Sequence, residues 1–122
     1  MASGKAIGEY SLKSITSTQS PGPAGSVLIQ VNWEGTGTGF GATFLTSTFV
    51  GGGKGGTFSL HWASYLDNGD TLSGAGQGTY ESVGKHKWRT ANSAEVSDGR
   101  RIRAEGEIDL ASRSWKGTLF EG

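Results

Sequence analysis

The sequence predicts an all-β protein that folds as a single antiparallel β-barrel of about eight strands, rich in glycine and strongly curved. Glycine accounts for 22 of the 122 residues, and each glycine inside a helix costs roughly 1 kcal/mol relative to alanine. Short runs of alternating apolar and polar residues are separated by turn residues at a spacing typical of sandwiches and barrels. Two rows of alternating glycines favour the barrel, because glycine lets strands bend until the sheet closes.

The alternating runs continue along the whole chain, so residues 1–122 are predicted to form one domain. Strands are expected at positions 7–18, 26–36, 39–50, 57–66, 71–82, 86–96, 101–110 and 114–121. Positions 1–6 and 19–25 are predicted to be flexible. The Gly-rich run 51–56 is interpreted as a mobile hairpin loop, with a linker as the alternative, because strand patterns flank it closely on both sides.

In the second and third strands, a row of alternating apolar residues continues into a row of alternating glycines. The row consists of Val27, Ile29, Val31, Trp33, Gly35, Gly37, Gly39 and Gly41. Because side chains alternate across a strand, these residues are predicted to share the inner face of the sheet. Glu34 is out of phase with the row and is expected to face solvent.

The turn sequence Asp67-Asn68-Gly69 predicts a hairpin between the fourth and fifth strands, because glycine adopts a positive φ without steric cost. A three-residue loop here pairs Leu66 with Asp70. The resulting register sets large apolar side chains against glycines: Trp62 opposite Gly74, Leu60 opposite Gly76 and Phe58 opposite Gly78. Such pairs are typical of a strongly curved sheet, in which a large side chain covers the backbone of a facing glycine.

The sixth strand is placed by two further turns. A turn at Val83-Gly84-Lys85 sets Tyr80 opposite Trp88 and Asn92 opposite Gly76. A three-residue loop with a bulge at Asp98-Gly99 aligns opposite charges on the outer face of the next hairpin. The expected pairs are Glu95 with Arg101, Arg89 with Glu107 and Lys87 with Asp109. The inner face then carries Trp88, Thr90, Asn92 and Ala94 against Ile108, Gly106, Ala104 and Ile102.

The predicted interior is dominated by aromatic side chains. A barrel of eight strands either fills its interior with side chains or holds one small ligand. If the interior is hollow, a ligand site is expected with aromatic walls and two polar contacts. The walls would be Trp33, Trp62, Tyr80, Trp88 and Trp115, and the polar contacts would be Thr90 and Asn92. If the interior is filled, the same residues form the core.

The sequence contains no recognisable catalytic motif. Cysteine is absent and there are two separate histidines, His61 and His86, so neither a metal site nor a cofactor is expected. Tyr80 and His86 are the candidates for proton transfer if the barrel houses a reaction. The Gly-rich run with Lys54 lacks the spacing of a phosphate-binding loop.

Charge and hydropathy argue against two classes of partner, nucleic acids and membranes. The formal net charge is zero, and the basic stripe Lys85, Lys87 and Arg89 is expected to be neutralised by acidic neighbours, so nucleic acid is an unlikely partner. No apolar run approaches the ~20 residues of a membrane helix, and the first residues lack the apolar segment of a secretory signal. The expectations are therefore no membrane association and a cytoplasmic location. A homo-oligomer would use outer aromatics, for which Tyr65 and Phe49 are predicted.

Several short motifs resemble those of small bacterial proteins with an allene-oxide-cyclase-like barrel. They are Gly8-Glu9-Tyr10, Gly35-Thr36-Gly37, Gly106-Glu107-Ile108-Asp109 and Gly117-Thr118-Leu119. The resemblance implies an eight-stranded barrel, often oligomeric, whose cavity in some members holds a small apolar ligand or a cyclisation reaction.

The leading hypothesis for function is a non-enzymatic barrel module that binds a small, largely apolar molecule or takes part in assembly. The alternatives are a metal-free cyclase or isomerase that acts inside the barrel, and a purely structural protein that forms oligomers. A cavity of several hundred Å³ would favour the first two hypotheses, and a solid core would favour the third.

Overall fold

A computed structural model describes residues 4–122 and contains eight strands that pair in sequence order to form a closed antiparallel barrel. The strands are β1 (Ala6–Pro21), β2 (Val27–Gly37), β3 (Gly41–Gly52), β4 (Gly55–Tyr65), β5 (Thr71–Gly84), β6 (Lys87–Val96), β7 (Arg101–Asp109) and β8 (Ser114–Glu121). Each predicted strand overlaps one observed strand, so the predicted fold class is confirmed. Of the segment 1–6, residues 1–3 lie outside the described residues, and Ala6 already begins β1.

The barrel closes where β1 pairs with β8, but the two strands differ in length. Their pairing ends at Lys13 and Ser114, whereas β1 continues to Pro21 in partnership with β2. The register of β1 on β2 shifts between Ser14 and Thr16, so Ile15 is the bulge residue. At about 3.3 Å per residue, the β1–β2 hairpin projects roughly 25 Å of strand beyond the end of β8. It forms a tall wall at one mouth of the barrel.

Glycines allow the large side chains of β4 to pack inside this narrow barrel. Trp62 pairs with Gly74, Leu60 with Gly76 and Phe58 with Gly78, as predicted. A Cβ atom at Gly74 would overlap the Trp62 ring. The indole of Trp62 thus occupies the space that a side chain at position 74 would need, so only glycine fits there.

The predicted register between β5 and β6 is wrong by two residues. Tyr80 pairs with Thr90, and Asn92 faces Gly78. The hairpin turns at Lys85 and His86, where His86 has a φ of 56°, and the register shifts between Ser82 and Gly84. A left-handed histidine next to a bulge replaces the glycine-centred turn that the sequence suggested. The same faces still meet, because a shift of two preserves the alternation.

The predicted register between β6 and β7 is confirmed at every pair. Two of the three expected ion pairs are present, Arg101 with Glu95 at 3.1 Å and Lys87 with Asp109 at 3.9 Å. The third differs, because Arg89 bonds Glu81, its neighbour on β5, at 3.3 Å instead of Glu107 on β7. The side chain of Asp109 is half-buried and the others are exposed, so each pair contributes at most about 1 kcal/mol.

An aromatic plug fills the middle of the barrel. Trp115 is 1% exposed, and its ring lies 5.3 Å from that of Trp33, 5.6 Å from Phe58 and 6.2 Å from Phe49. Phe49 was expected on the outside, and that prediction is wrong. The β2–β3 register pairs Phe49 with Ile29 on the inner face and leaves Phe44 outside.

The first glycine row is shorter than predicted. Gly35 and Gly37 lie on the inner side of β2, but Gly39 is in the β2–β3 turn with a φ of 79°, and Gly41 begins β3 with a φ of 69°. This turn carries Phe40 into the end of the barrel opposite the tall wall. Its ring packs edge-on against Trp62 at 6.3 Å, and the Arg100 guanidinium covers it at 5.3 Å.

Candidate functional site

An open, largely apolar cup of about 740 Å³ lies at the mouth with the tall wall, and the polar residues Ser14, Thr16, Ser17 and Gln19 of β1 line part of it. Trp33 and Phe49, which belong to the aromatic plug, form its floor. Strand β2 supplies Ile29 and Val31 to one side. Tyr80 and Trp88 line the other side. The cup falls within the size range of small-molecule sites, roughly 300–1,000 Å³.

The rim of the cup exposes aliphatic side chains to water. Ile15 from the β1 bulge is 52% exposed, Val27 at the start of β2 is 45% exposed, and Leu110 in the β7–β8 turn is 49% exposed. All three line the cup. Apolar groups left in water on a concave surface favour binding of a molecule that covers them.

Arg113 supplies the charge in the cup. Among the described residues that line it, Arg113 alone is ionised at neutral pH. Its φ of 51° is in the left-handed region, where a residue other than glycine is strained. The Arg113 carbonyl accepts a hydrogen bond from the Ser14 backbone N–H at 3.0 Å, which fixes the turn beside β1.

Tyr80 and Trp88 hold the Gly-rich β3–β4 hairpin over the cup. The Tyr80 hydroxyl donates to the Gly52 carbonyl at 3.2 Å, and the Trp88 indole N–H donates to the Gly53 carbonyl at 2.7 Å. The Ser82 backbone N–H donates to the Lys54 carbonyl at 2.8 Å. The run 51–56, which was predicted to be a mobile loop, consists of the end of β3 and the start of β4 joined by Gly53 and Lys54. The hydrogen bonds from Tyr80, Trp88 and Ser82 hold it in place. Burial raises the pKa of Tyr80.

The polar ends of the two central tryptophans are satisfied inside the protein. The Trp33 indole N–H donates to Ser47 Oγ at 2.9 Å, and the Trp115 indole N–H donates to Thr90 Oγ1 at 3.0 Å. Thr90 is 1% exposed and lines neither the cup nor the inner cavity described next. The structure therefore places it as a hydrogen-bond partner within the core.

A second, much smaller cavity of about 70 Å³ lies on the other side of the plug, and Trp62, Trp115 and Asn92 line it. Within residues 4–122 the side-chain amide of Asn92 makes no hydrogen bond. The Tyr10 hydroxyl, which is directed toward Thr90 and Trp115, reaches neither with acceptable geometry and is buried without a partner. The space suits a few water molecules, each of which needs at least about 10–15 Å³. Burial raises the pKa of Tyr10 to about 12.

The structure divides the predicted ligand-binding residues among three places. Trp33, Tyr80 and Trp88 line the cup, whereas Trp62, Asn92 and Trp115 line the small cavity and Thr90 lies between them in the core. Of the two candidates for proton transfer, Tyr80 lies on the cup wall. His86 is on the exposed β5–β6 turn and is not among the lining residues.

Sequence reasoning missed the rim residues Ile15, Leu110 and Arg113, and it placed Val27 on the inner face without assigning it to a site. Ile15 sits at a bulge, and Leu110 and Arg113 sit in a turn, so the alternation of a strand does not orient them. The one sequence signal at Ile15 is an isolated aliphatic residue in a run of Ser and Thr.

No group of three or more His, Cys, Asp and Glu side chains within residues 4–122 is arranged to hold a metal ion. In the same part of the chain, no helix has the length and apolarity needed to cross a bilayer.

No family model, curated protein or solved structure matches the chain.

Proposed function

We propose that this protein is a small-molecule-binding barrel that takes a largely apolar ligand into the cup. The observation that carries the proposal is the concave rim formed by the half-exposed side chains of Ile15, Val27 and Leu110 above an aromatic floor. In a barrel whose interior was only structural, these aliphatic groups would be expected in the core or replaced by polar residues.

The cup supports moderate affinity. Fully burying an aliphatic side chain contributes roughly 1.5–3 kcal/mol, so covering three that are about half exposed contributes about 1 kcal/mol each. A ligand of about 20 non-hydrogen atoms at about 0.3 kcal/mol per atom reaches about 6 kcal/mol, which corresponds to a dissociation constant of tens of micromolar.

Arg113 favours a ligand with an acidic or hydrogen-bond-accepting end. Arg113 is exposed, so an ion pair of its guanidinium with an anionic group contributes at most about 1 kcal/mol, which still favours a ligand with an acidic end over a neutral one. The indole and phenol groups of Trp88 and Tyr80 already donate to the β3–β4 hairpin, so they present ring faces to the ligand.

Binding is a better fit to the cup than catalysis. The Tyr80 hydroxyl is engaged with Gly52 and has a raised pKa, which makes it a weak proton donor at neutral pH. His86 lies on an exposed turn outside the cup lining. The cyclase or isomerase hypothesis and the resemblance to allene-oxide-cyclase-like barrels remain predictions.

The experiment is a titration with 8-anilino-1-naphthalenesulfonate, which has an apolar body and one anionic group, monitored by probe fluorescence and by quenching of tryptophan. Leu110→Asn on the rim should weaken binding about fivefold, the effect of losing about 1 kcal/mol. Val83→Asn is the matched control, because Val83 is 39% exposed and does not line the cup. Absence of saturable binding, or equal effects of the two substitutions, would contradict the proposal.

Arg113 is tested with the same probe and with its neutral parent, N-phenyl-1-naphthylamine. Arg113→Gln should weaken binding of the sulfonate severalfold and leave binding of the neutral probe almost unchanged. Equal losses for both probes would show that Arg113 acts through the shape of the turn instead of its charge.

A further inference from the structure

Charge divides the outer surface of the barrel into two unlike faces. All five outward positions of β7 are charged, and β6 adds Lys87, Arg89 and Glu95. On β3, β4 and the first part of β5, no outward position within the described chain carries Asp, Glu, Lys or Arg. These positions are Ala42, Phe44, Thr46, Thr48, Val50, Thr57, Ser59, His61, Ala63, Tyr65, Thr71, Ser73, Ala75, Gln77 and Thr79. We call this surface the neutral face.

The neutral face exposes two aromatic side chains. Phe44 is 49% exposed and Tyr65 is 51% exposed, and their rings pack edge to face at 6.1 Å. Aromatic side chains are enriched in protein interfaces and supply much of the energy when they are covered. Ordinary surfaces of small domains carry interspersed charges, so fifteen uncharged outward positions with two exposed aromatics need a physical reason.

The neutral face can be covered only through its side chains. β3, β4 and β5 are each hydrogen-bonded to a neighbour on both sides, so none offers a free edge to which another strand could be added. A partner must therefore pack flat against the sheet.

We propose that the neutral face is the contact surface between two copies of this chain in a two-fold symmetric dimer. Two-fold symmetry places a patch against its own copy, and an uncharged patch buries no unpaired ion and meets no like charge. Its Thr and Ser hydroxyl groups both donate and accept hydrogen bonds, so they can pair with themselves. The face carries no charge that would attract or select an unlike protein.

The area of the face indicates a dimer of moderate affinity. Three strands at about 4.8 Å spacing and about 11 residues at 3.3 Å each give a patch of roughly 14 by 36 Å. The full patch measures roughly 500 Å² on each copy, or about 1,000 Å² in all, which is the lower limit for a specific interface. Three of the eight strands of a closed barrel form a convex surface, so a two-fold contact buries less than this full area. The dimer is therefore expected to dissociate on dilution in the micromolar range.

The test is the mass of the full chain in solution, measured by light scattering and sedimentation across a dilution series. Ser59→Glu places a charge at the middle of the neutral face. Ser93→Glu is the matched control, because Ser59, Gln77 and Ser93 lie side by side on β4, β5 and β6, and Ser93 is an exposed outward serine beside Arg103. A second variant, Phe44→Ser, removes apolar area without adding charge.

The proposal expects a wild-type mass of twice 12.7 kDa that falls on dilution. Ser59→Glu should raise the dissociation constant at least tenfold and Phe44→Ser severalfold, with Ser93→Glu unchanged. A wild-type monomer at every concentration would overturn the proposal, as would a trimer or larger ring or an equal response of the two serine variants. If a different protein covers the neutral face instead, the wild type would be a monomer at every concentration.

Discussion

The hydrogen bond between Trp115 and Thr90 allows a quantitative test of how the aromatic plug is stabilised. The indole N–H donates to Thr90 Oγ1 at 3.0 Å, and both residues are 1% exposed. Trp115→Phe removes the donor and part of the ring. Thr90→Val keeps the size of the side chain and removes the acceptor.

The expected magnitudes follow from these contacts. Trp115→Phe exposes no new surface but loses roughly 40 Å² of buried ring, about 1 kcal/mol, and leaves Thr90 Oγ1 without this donor, which costs about 1–3 kcal/mol more. We expect a loss of about 2–4 kcal/mol in the free energy of unfolding. Thr90→Val leaves the indole N–H buried and unpaired, at about 1–3 kcal/mol.

The free energy of unfolding lost in the double variant should be smaller than the sum of the losses in the two single variants. The double variant removes both the donor and the acceptor, so neither is left buried without the other. A coupling energy of about 1–2 kcal/mol is expected from urea unfolding of the four proteins, provided that the slope with urea is unchanged. If the losses add to within about 0.5 kcal/mol, Thr90 and Trp115 do not act as a pair, and the hydrogen bond between them does not stabilise the aromatic plug.

Three further predictions follow from the packing of the barrel. Gly74→Ala should lower the free energy of unfolding in urea by about 1–3 kcal/mol, because the added methyl group overlaps the Trp62 ring. Equal stability of Gly74→Ala and the wild type would contradict this prediction. Gly69→Ala is not a suitable control, because the φ of Gly69 is positive. Burial raises the pKa of Tyr10 from 10.0 to about 12, so unfolding releases the phenol proton between these two pH values. The free energy of unfolding in urea should therefore fall by about 2–3 kcal/mol between pH 9 and pH 12 in the wild type, and by less in Tyr10→Phe. Trp88→Phe removes the donor to the Gly53 carbonyl and should speed hydrogen exchange of the Ser82 amide, which the same hairpin protects.

The strand pairings that turn chemistry determines could be predicted from the sequence. Asn68-Gly69 and Asp98-Gly99 each place a glycine at a φ of 95°, and the registers that follow from them are confirmed. The β5–β6 register could not be predicted in this way. Its turn has His86, not Gly84, in the left-handed region, and the register shifts between Ser82 and Gly84, so a turn centred on the glycine gave the wrong pairing.

The candidate site was predicted in part, for a related reason. The alternation of β6 and β2 correctly turns Trp88 and Trp33 inward, but alternation does not tell whether an inward side chain meets another side chain or an empty space. Trp33 meets both, because its ring packs against Trp115 and also lines the open cup. The rim residues Ile15 and Leu110 were missed because bulges and turns interrupt the alternation on which the prediction depended.

The cup exists because neighbouring strands have unequal lengths. The number of strands and their tilt fix the width of a barrel. In this chain Trp33, Trp62 and Trp115, with their phenylalanine neighbours, fill that width beside the facing glycines. Space for a ligand can then arise only where the sheet continues past the filled section. β1 continues to Pro21 although β8 begins at Ser114 opposite Lys13, and the wall that results encloses the cup. The aromatic plug and the cup are thus compatible properties of one barrel, since the first depends on what faces inward and the second on how far each hairpin extends.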